Sequence, residues 1–214
     1  MFILQRFLLL MIIAFTAGCS SIYYSAMDSV GIQLRDIMVH RVEKARDSQE
    51  EAKEQFKSAL EQFTAVTNFK GSDLQDIYDE LNDEYEDSVS QAEEVRNRID
   101  EIENVSEALF EEWQDEIEQY SSASLKRNSQ QQLRKTKSHY QQLIAAMNKA
   151  ESKIQPILAV FKDQVLYLKH NLNAQAISSL KGELSTIESN VSVLIAAMER
   201  SIKEADQFIQ TMEK

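Results

Sequence analysis

Apolar residues recur at alternating steps of four and three along most of the chain. From Met38 the series runs Met38, Val42, Ala45, Gln49, Ala52, Phe56, Ala59, Phe63 and Val66. Such spacing keeps one stripe of a helix facing a partner and defines a heptad seam. Lys70-Gly71-Ser72-Asp73 interrupts it. Gly71 suits a helix C-terminus, and Ser72 with Gln75 three residues on reads as a capping box. A second helix is predicted from near Asp73, with its seam at Leu74, Tyr78, Leu81, Tyr85, Ser88, Ala92, Val95, Ile99, Ile102, Ser106, Leu109 and Trp113, closed by Ile117 and Tyr120. At 1.5 Å per residue it spans about 70 Å.

Ser121-Ser122-Ala123-Ser124 marks the next break, because serine competes for its own backbone and favours caps and turns. The third helix carries Leu133, Tyr140, Leu143, Met147, Ala150, Ile154, Ile157, Phe161, Val165, Leu168 and Leu172. Pro156 sits among them and predicts a kink near 152–155, since proline removes one helical hydrogen bond and crowds the preceding turn. Asn171-Leu172-Asn173 ends this helix, with Lys169 and His170 well placed for its dipole. The fourth carries Ile177, Leu180, Leu184, Ile187, Val191, Leu194, Met198, Ile202, Ala205, Ile209 and Met212, weakened locally by Gly182. Between Val191 and Ala197 apolar residues go nearly all the way round, so this tract is either centrally buried or in contact with a partner.

Four long helices joined by short connections must run antiparallel. The expected fold is all-α, an elongated antiparallel coiled coil that forms either an up-down bundle of four long helices or a pair of long hairpins. One proline and four glycines in 214 residues fit this reading, and a single cysteine leaves no intramolecular disulfide framework. Stability must come from helix packing.

Charge sharpens the topology. Between Asp73 and Glu118 nineteen acidic residues face only Arg96 and Arg98, a net of about −17 against −12 for the whole chain. Between Lys126 and Lys169 nine Lys or Arg face only Glu151 and Asp163. Folding the third helix back on the second sets Lys126, Arg127, Arg134, Lys135 and Lys137 opposite Glu107, Glu111, Glu112, Asp115, Glu116 and Glu118. Flanking pairs of this kind choose partner and orientation more than they add stability, each being worth about 0–1 kcal/mol. A less matched acidic patch remains at Asp79, Glu80, Asp83, Glu84, Glu86 and Asp87, with Lys53 and Lys57 as its expected neighbours. It reads as a solvated face, or else as an attractor of divalent cations or a basic partner. The acidic balance argues against nucleic-acid binding.

Catalytic constellations are missing from the sequence. Glycines at 18, 31, 71 and 182 cannot form a phosphate-binding loop or a dinucleotide fingerprint, which excludes a nucleotide site and an ATPase of the chromosome-maintenance type on this chain. His40, His139 and His170 are scattered, and none follows a glutamate by three residues as di-iron bundles require. No catalytic residue, cofactor or metal site is predicted, and the protein is not expected to be an enzyme.

The lone cysteine has another use. Arg6 and an uncharged apolar run from Phe7 to Ala14 lead into Phe15-Thr16-Ala17-Gly18-Cys19-Ser20, the order of a secretory signal that ends in small residues. The apolar stretch is about a dozen residues, too short for a spanning helix of roughly twenty. The segment resembles the lipobox of bacterial lipoprotein signal peptides, with Thr16 where leucine is commonest. That resemblance implies removal of residues 1–18, acyl chains (palmitate among them) on Cys19, and a mature helical domain over 19–214. It implies a membrane-tethered, extracytoplasmic protein. Ser20 is not the aspartate associated with inner-membrane retention, which favours the periplasmic face of the outer membrane, and Tyr23 and Tyr24 suit a lipid surface.

Two further stretches carry a wider likeness: Tyr24-Ser25-Ala26-Met27 through Arg35-Asp36-Ile37-Met38-Val39, and Arg41 through Phe56. With Pro156, Phe161-Lys162-Asp163-Gln164-Val165 and Leu168 to Ala174, they make the chain similar to an uncharacterised bacterial lipoprotein family, domain of unknown function 2959. The resemblance implies a helical envelope lipoprotein and carries no activity or site residue. The resulting expectation is a lipid-anchored periplasmic scaffold or adaptor that binds an envelope protein or itself. Its alternative is an envelope ligand- or cation-binding lipoprotein that uses the acidic helix or the bundle interior.

Overall fold

Every seam position predicted from Met38 to Val66 is buried, Gln49 included. These residues form one face of α1 (Leu34–Thr67). In the computed structural model, which describes residues 33–69, 74–171 and 174–212, α1 is followed by α2 (Leu74–Gln119), α3 (Ala123–Glu151), α4 (Ile154–His170) and α5 (Ala174–Met212). About 95% of the described residues are helical and none of them is in a strand.

The breaks fall where side-chain chemistry puts them. Ser122 is the N-cap of α3, its Oγ accepting from the Leu125 N–H at 3.4 Å. Ser152 and Lys153 separate α3 from α4, and Pro156 is the third residue of α4. With no N–H, Pro156 cannot donate to the carbonyl of Ser152, four residues back. The chain instead closes the end of α3 with Ser152 N–H to Asn148 O and Lys153 N–H to Ala150 O. The predicted kink is therefore a true helix break, and α3 and α4 make one arm in two pieces. Asn171 ends α4 and donates from Nδ2 to Tyr167 O at 2.9 Å.

Around the bundle, α1 packs on α2 and α5, while α3 and α4 close the ring between α2 and α5. Arg41 pairs with Glu101, and Gln62 donates to Glu80 at 2.6 Å. Rising numbers on α1 thus meet falling numbers on α2, as an antiparallel pair requires. One continuous apolar core draws on all four arms, so the helices form an up-down bundle and not two separate hairpins.

Several positions differ from the sequence reading. Tyr120 lies past the end of α2 and is exposed, because the helix stops at Gln119 before the seam can close. Val105, Thr136, Phe208 and Ser201 are buried although the simple seam skips them, since a four-helix core takes a wider stripe than a two-helix contact. The Val191–Ala197 tract divides: Val191, Leu194 and Ala197 are buried, while Val193 is 50% exposed. Gly71, Ser72 and Leu172 lie outside the described residues, as do residues 1–18, Cys19, Ser20, Tyr23 and Tyr24.

Candidate functional site

The acidic face of α2 is the first place to look for chemistry, and α1 already occupies part of it. Glu84 accepts from Gln55 Nε2 at 2.8 Å and from Ser58 Oγ at 2.9 Å, and Glu80 accepts from Gln62. Asp79 and Glu86 accept from Gln75 and Asn82 on their own helix. Lys53 and Lys57, the expected neighbours, turn instead to α1: Lys53 lies 2.6 Å from Glu50, and Lys57 lies 2.7 Å from Glu54. The reason is spacing, because each of those pairs sits one helical turn apart and needs no reach between helices. Sequence reasoning missed Gln55, Ser58 and Gln62. They flank the seam residues Phe56, Ala59 and Phe63, and that position was the available signal.

Of the cations set opposite the acidic end of α2 by the charge pattern, Lys126 forms its ion pair there, with Glu118 at 2.7 Å. The second α2–α3 pair, Arg96 with Glu151 at 2.7 Å, has the opposite polarity and was not among those expected. Lys137 lies over the Phe110 ring, 5.3 Å from its centroid, and Phe110 meets Tyr140 edge-on at 5.4 Å. Burial pushes the Tyr140 phenol up from its usual range. Between α1 and α2, the Glu101 carboxylate is held by two arginines. Burial alone would raise its pKa, but hydrogen bonds from Arg98 and Arg41 outweigh that and hold it below the usual value.

The histidines stay apart. His40 is an exposed neighbour of Glu43, His139 Nδ1 lies 3.0 Å from Thr211 Oγ1, and His170 closes α4. Among the described residues, no three or more His, Cys, Asp or Glu are placed to hold a metal ion.

A cleft of about 690 Å³ opens at the end of the bundle where α1 begins. Leu34, Leu109, Trp113 and Met212 supply its apolar lining, with Gln33 at the start of α1 and Gln132 and Thr136 on α3. The Trp113 indole donates to Ser129 Oγ at 2.9 Å, which fixes the ring. Its volume falls within the range of ordinary ligand or segment sites. Seam analysis placed Trp113 in the core. The half-buried ring lies instead where α1 and α5 run out and α2 and α3 continue.

No described helix is long and apolar enough to cross a membrane. Fold and surface together define an elongated, all-helical bundle protein with a filled core and one end cleft. The chain belongs to the family described as protein of unknown function (DUF2959), whose model matches residues 23–212. No curated protein and no solved structure matches the chain.

Proposed function

We propose that the protein is a lipid-anchored scaffold or adaptor of the bacterial cell envelope, held by acyl chains on Cys19 and facing the periplasm from the outer membrane. The observation that carries this reading is the run Ala17-Gly18-Cys19-Ser20 behind a short apolar segment, directly upstream of a family-matched helical domain. Two or more acyl chains hold a protein firmly where one gives only marginal binding. The bundle behind them has an interior packed mainly with Leu, Ile, Val, Phe, Met and Ala. Its outer faces are therefore the working surfaces, and the protein binds an envelope partner or a second copy without catalysis. Val193, exposed on α5 beside the buried Val191 and Leu194, offers one apolar contact point.

A mass spectrum of the mature protein tests the anchor. Cys19 as an acylated N-terminus is expected, and an unmodified Cys19 would sink the proposal. Crosslinking in intact cells tests the role. A defined envelope partner, lost on Val193→Asp, is expected, whereas measurable turnover of a substrate by the pure protein would replace binding with catalysis.

A further inference from the structure

Residues that directly follow a core position of α2 lean toward α3, and those that follow a core position of α3 lean toward α2. Arg96 and Glu103 follow the buried Val95 and Ile102, Glu151 and Asn148 follow the buried Ala150 and Met147, and these four meet across the groove. The same step carries two unlike rows along the outer edges of that groove. On α2, Asp79, Glu86, Glu93, Asp100 and Glu107 recur every seven residues, each directly after a seam residue. On α3 and α4, Arg134, Gln141, Asn148, Gln155, Lys162 and Lys169 keep the same spacing.

The first row is made of carboxylates, which only accept hydrogen bonds, and the second of cations and amides, which all donate them. Every member of both rows is exposed. None of the five carboxylates, and none of Arg134, Lys162 and Lys169, forms an ion pair among the described residues. Arg96 lies between Glu93 and Asp100, but Glu151 already holds it at 2.7 Å. Asp79 and Glu86 accept from Gln75 and Asn82 on their own helix. Leu81 and Tyr85 of α2 line one small cavity with Phe161 and Val165 of α4, which sets Glu86 level with Lys162 and, one heptad on, Asp79 level with Lys169.

We infer that this face binds a second copy of the chain in a parallel two-fold dimer. A two-fold axis along the groove lays each carboxylate row on the donor row of the partner, Glu86 on Lys162 of the partner subunit and Asp79 on Lys169 of the partner subunit. A two-fold axis across the bundle would lay acid on acid and cation on cation, which is repulsive. Charge thus selects the arrangement in which both chains point the same way. The acidic row spans about 40 Å and two adjacent helices are about 20 Å wide, so the face offers about 800 Å² per copy, the standard size of a specific interface. Leu166, 47% exposed between Lys162 and Lys169, adds an apolar contact. The inference rests on the proposed binding role, which it narrows to a second copy. Parallel chains bring both N-termini to one end, as two anchors in one membrane require.

Sedimentation equilibrium of the purified mature protein in density-matched detergent tests the dimer. Interfaces of this size bind in the micromolar range or tighter, so a dimer is expected at about 0.1 mM protein in low salt. It should weaken on going from about 0.1 M to about 1 M salt, where the Debye length falls from about 10 Å to about 3 Å. One variant carries Asp79→Lys with Glu86→Lys, and another carries Lys162→Glu with Lys169→Glu. Each should self-associate roughly tenfold or more weakly than the wild type. Mixed together, the two should form a heterodimer as tight as the wild-type dimer, because every reversed charge then meets its opposite. A photo-crosslinker at Glu93 should link chains through residues near Gln155. The inference is overturned by a monomer in low salt, by reversed variants that associate as the wild type does, or by a mixture that stays monomeric although both variants keep their helical content. Interchain crosslinks from Glu93 to α2 would overturn it too. None of these results bears on acylation of Cys19 or on capture of an envelope protein, so a failure here is distinct from failure of the proposed anchor and adaptor.

Discussion

The rings of Phe56 and Phe161 stack with centroids 6.4 Å apart at an interplanar angle of 25°. They join α1 to α4, arms that are not neighbours around the ring. Phe63 reaches the same ring at 6.3 Å, so Phe161 spans the centre of the bundle between two turns of α1. All three are essentially buried. Phe161→Ala leaves a cavity that two facing aromatic rings cannot fill. We expect a loss of about 3–5 kcal/mol. Urea unfolding followed by circular dichroism should show a lower midpoint with the slope unchanged.

Gly182 lies in the interior of α5, and a Cβ added there would meet nothing within 4 Å. Glycine in a helix interior is less favourable than alanine by about 0.5–1 kcal/mol. Gly182→Ala should therefore stabilise the protein by about that amount. A midpoint that falls on substitution would show that this turn of α5 needs glycine for a contact the described residues do not make.

Glu101 sets a pH dependence whose sign follows from its surroundings. Its folded pKa is depressed, so the stability it contributes is fully present above its unfolded value and is lost as pH falls through the folded one. The loss therefore belongs below the ordinary glutamate range of about 4.3. Its side chain is about a third exposed, which screens the pairs with Arg41 and Arg98 and keeps their worth to about 1 kcal/mol or less. Glu101→Gln should lower stability slightly at pH 7 and flatten the acid limb of the stability curve, as read from urea midpoints between pH 3 and 7.

Much of this fold is legible in the sequence. The α1 seam was complete because its residues meet neighbours on both sides through one narrow stripe. The helix ends at Ser122 and Asn171, and the break before Pro156, were readable because each rests on a single residue's backbone chemistry. Thr136 and Ser201 were not, since their burial depends on all four arms together. Lys53 and Lys57 illustrate the same limit on the surface. Long flexible cations had partners both one turn away and across a groove, and only three-dimensional spacing decides between them. The end cleft had no sequence signature, because it arises from unequal helix lengths and not from any motif.

The α2 acidic face invites a test with calcium. A cation bound at a hundred times its dissociation constant would stabilise the fold by about 2.7 kcal/mol. Glu80 and Glu84 are already accepting hydrogen bonds from α1, and the remaining carboxylates are strung along one helix without a loop to enclose an ion. Millimolar calcium should move the thermal midpoint by no more than about 1 °C, against several degrees for a bound ion. A larger rise would make the acidic face a binding site.

Gln49 is buried at the centre of the α1 seam, 1% exposed, and neither its Nε2 nor its Oε1 has a hydrogen-bond partner within the protein. The Arg41–Glu101 and Gln55–Glu84 contacts bracket this level and set Gln91 of α2 opposite it, while the Arg46–Asp206 pair brings Ser201 of α5 near. Gln91 Oε1, Ser48 Oγ and Ser201 Oγ are unpartnered as well, so one layer of the core concentrates the unmatched polar atoms. A buried polar layer costs stability and fixes register, because any slip would place those groups against Leu and Phe. Gln49→Met keeps the length and shape of the side chain while removing its polar atoms. We expect it to raise stability by about 1–2 kcal/mol, seen as a higher urea midpoint. Where such groups share ordered water, substitution has the opposite sign, since buried water makes about three hydrogen bonds and is costly to strand. A lowered midpoint for Gln49→Met, restored by Gln49→Asn, would therefore identify this layer as hydrated and turn the register device into an internal water site.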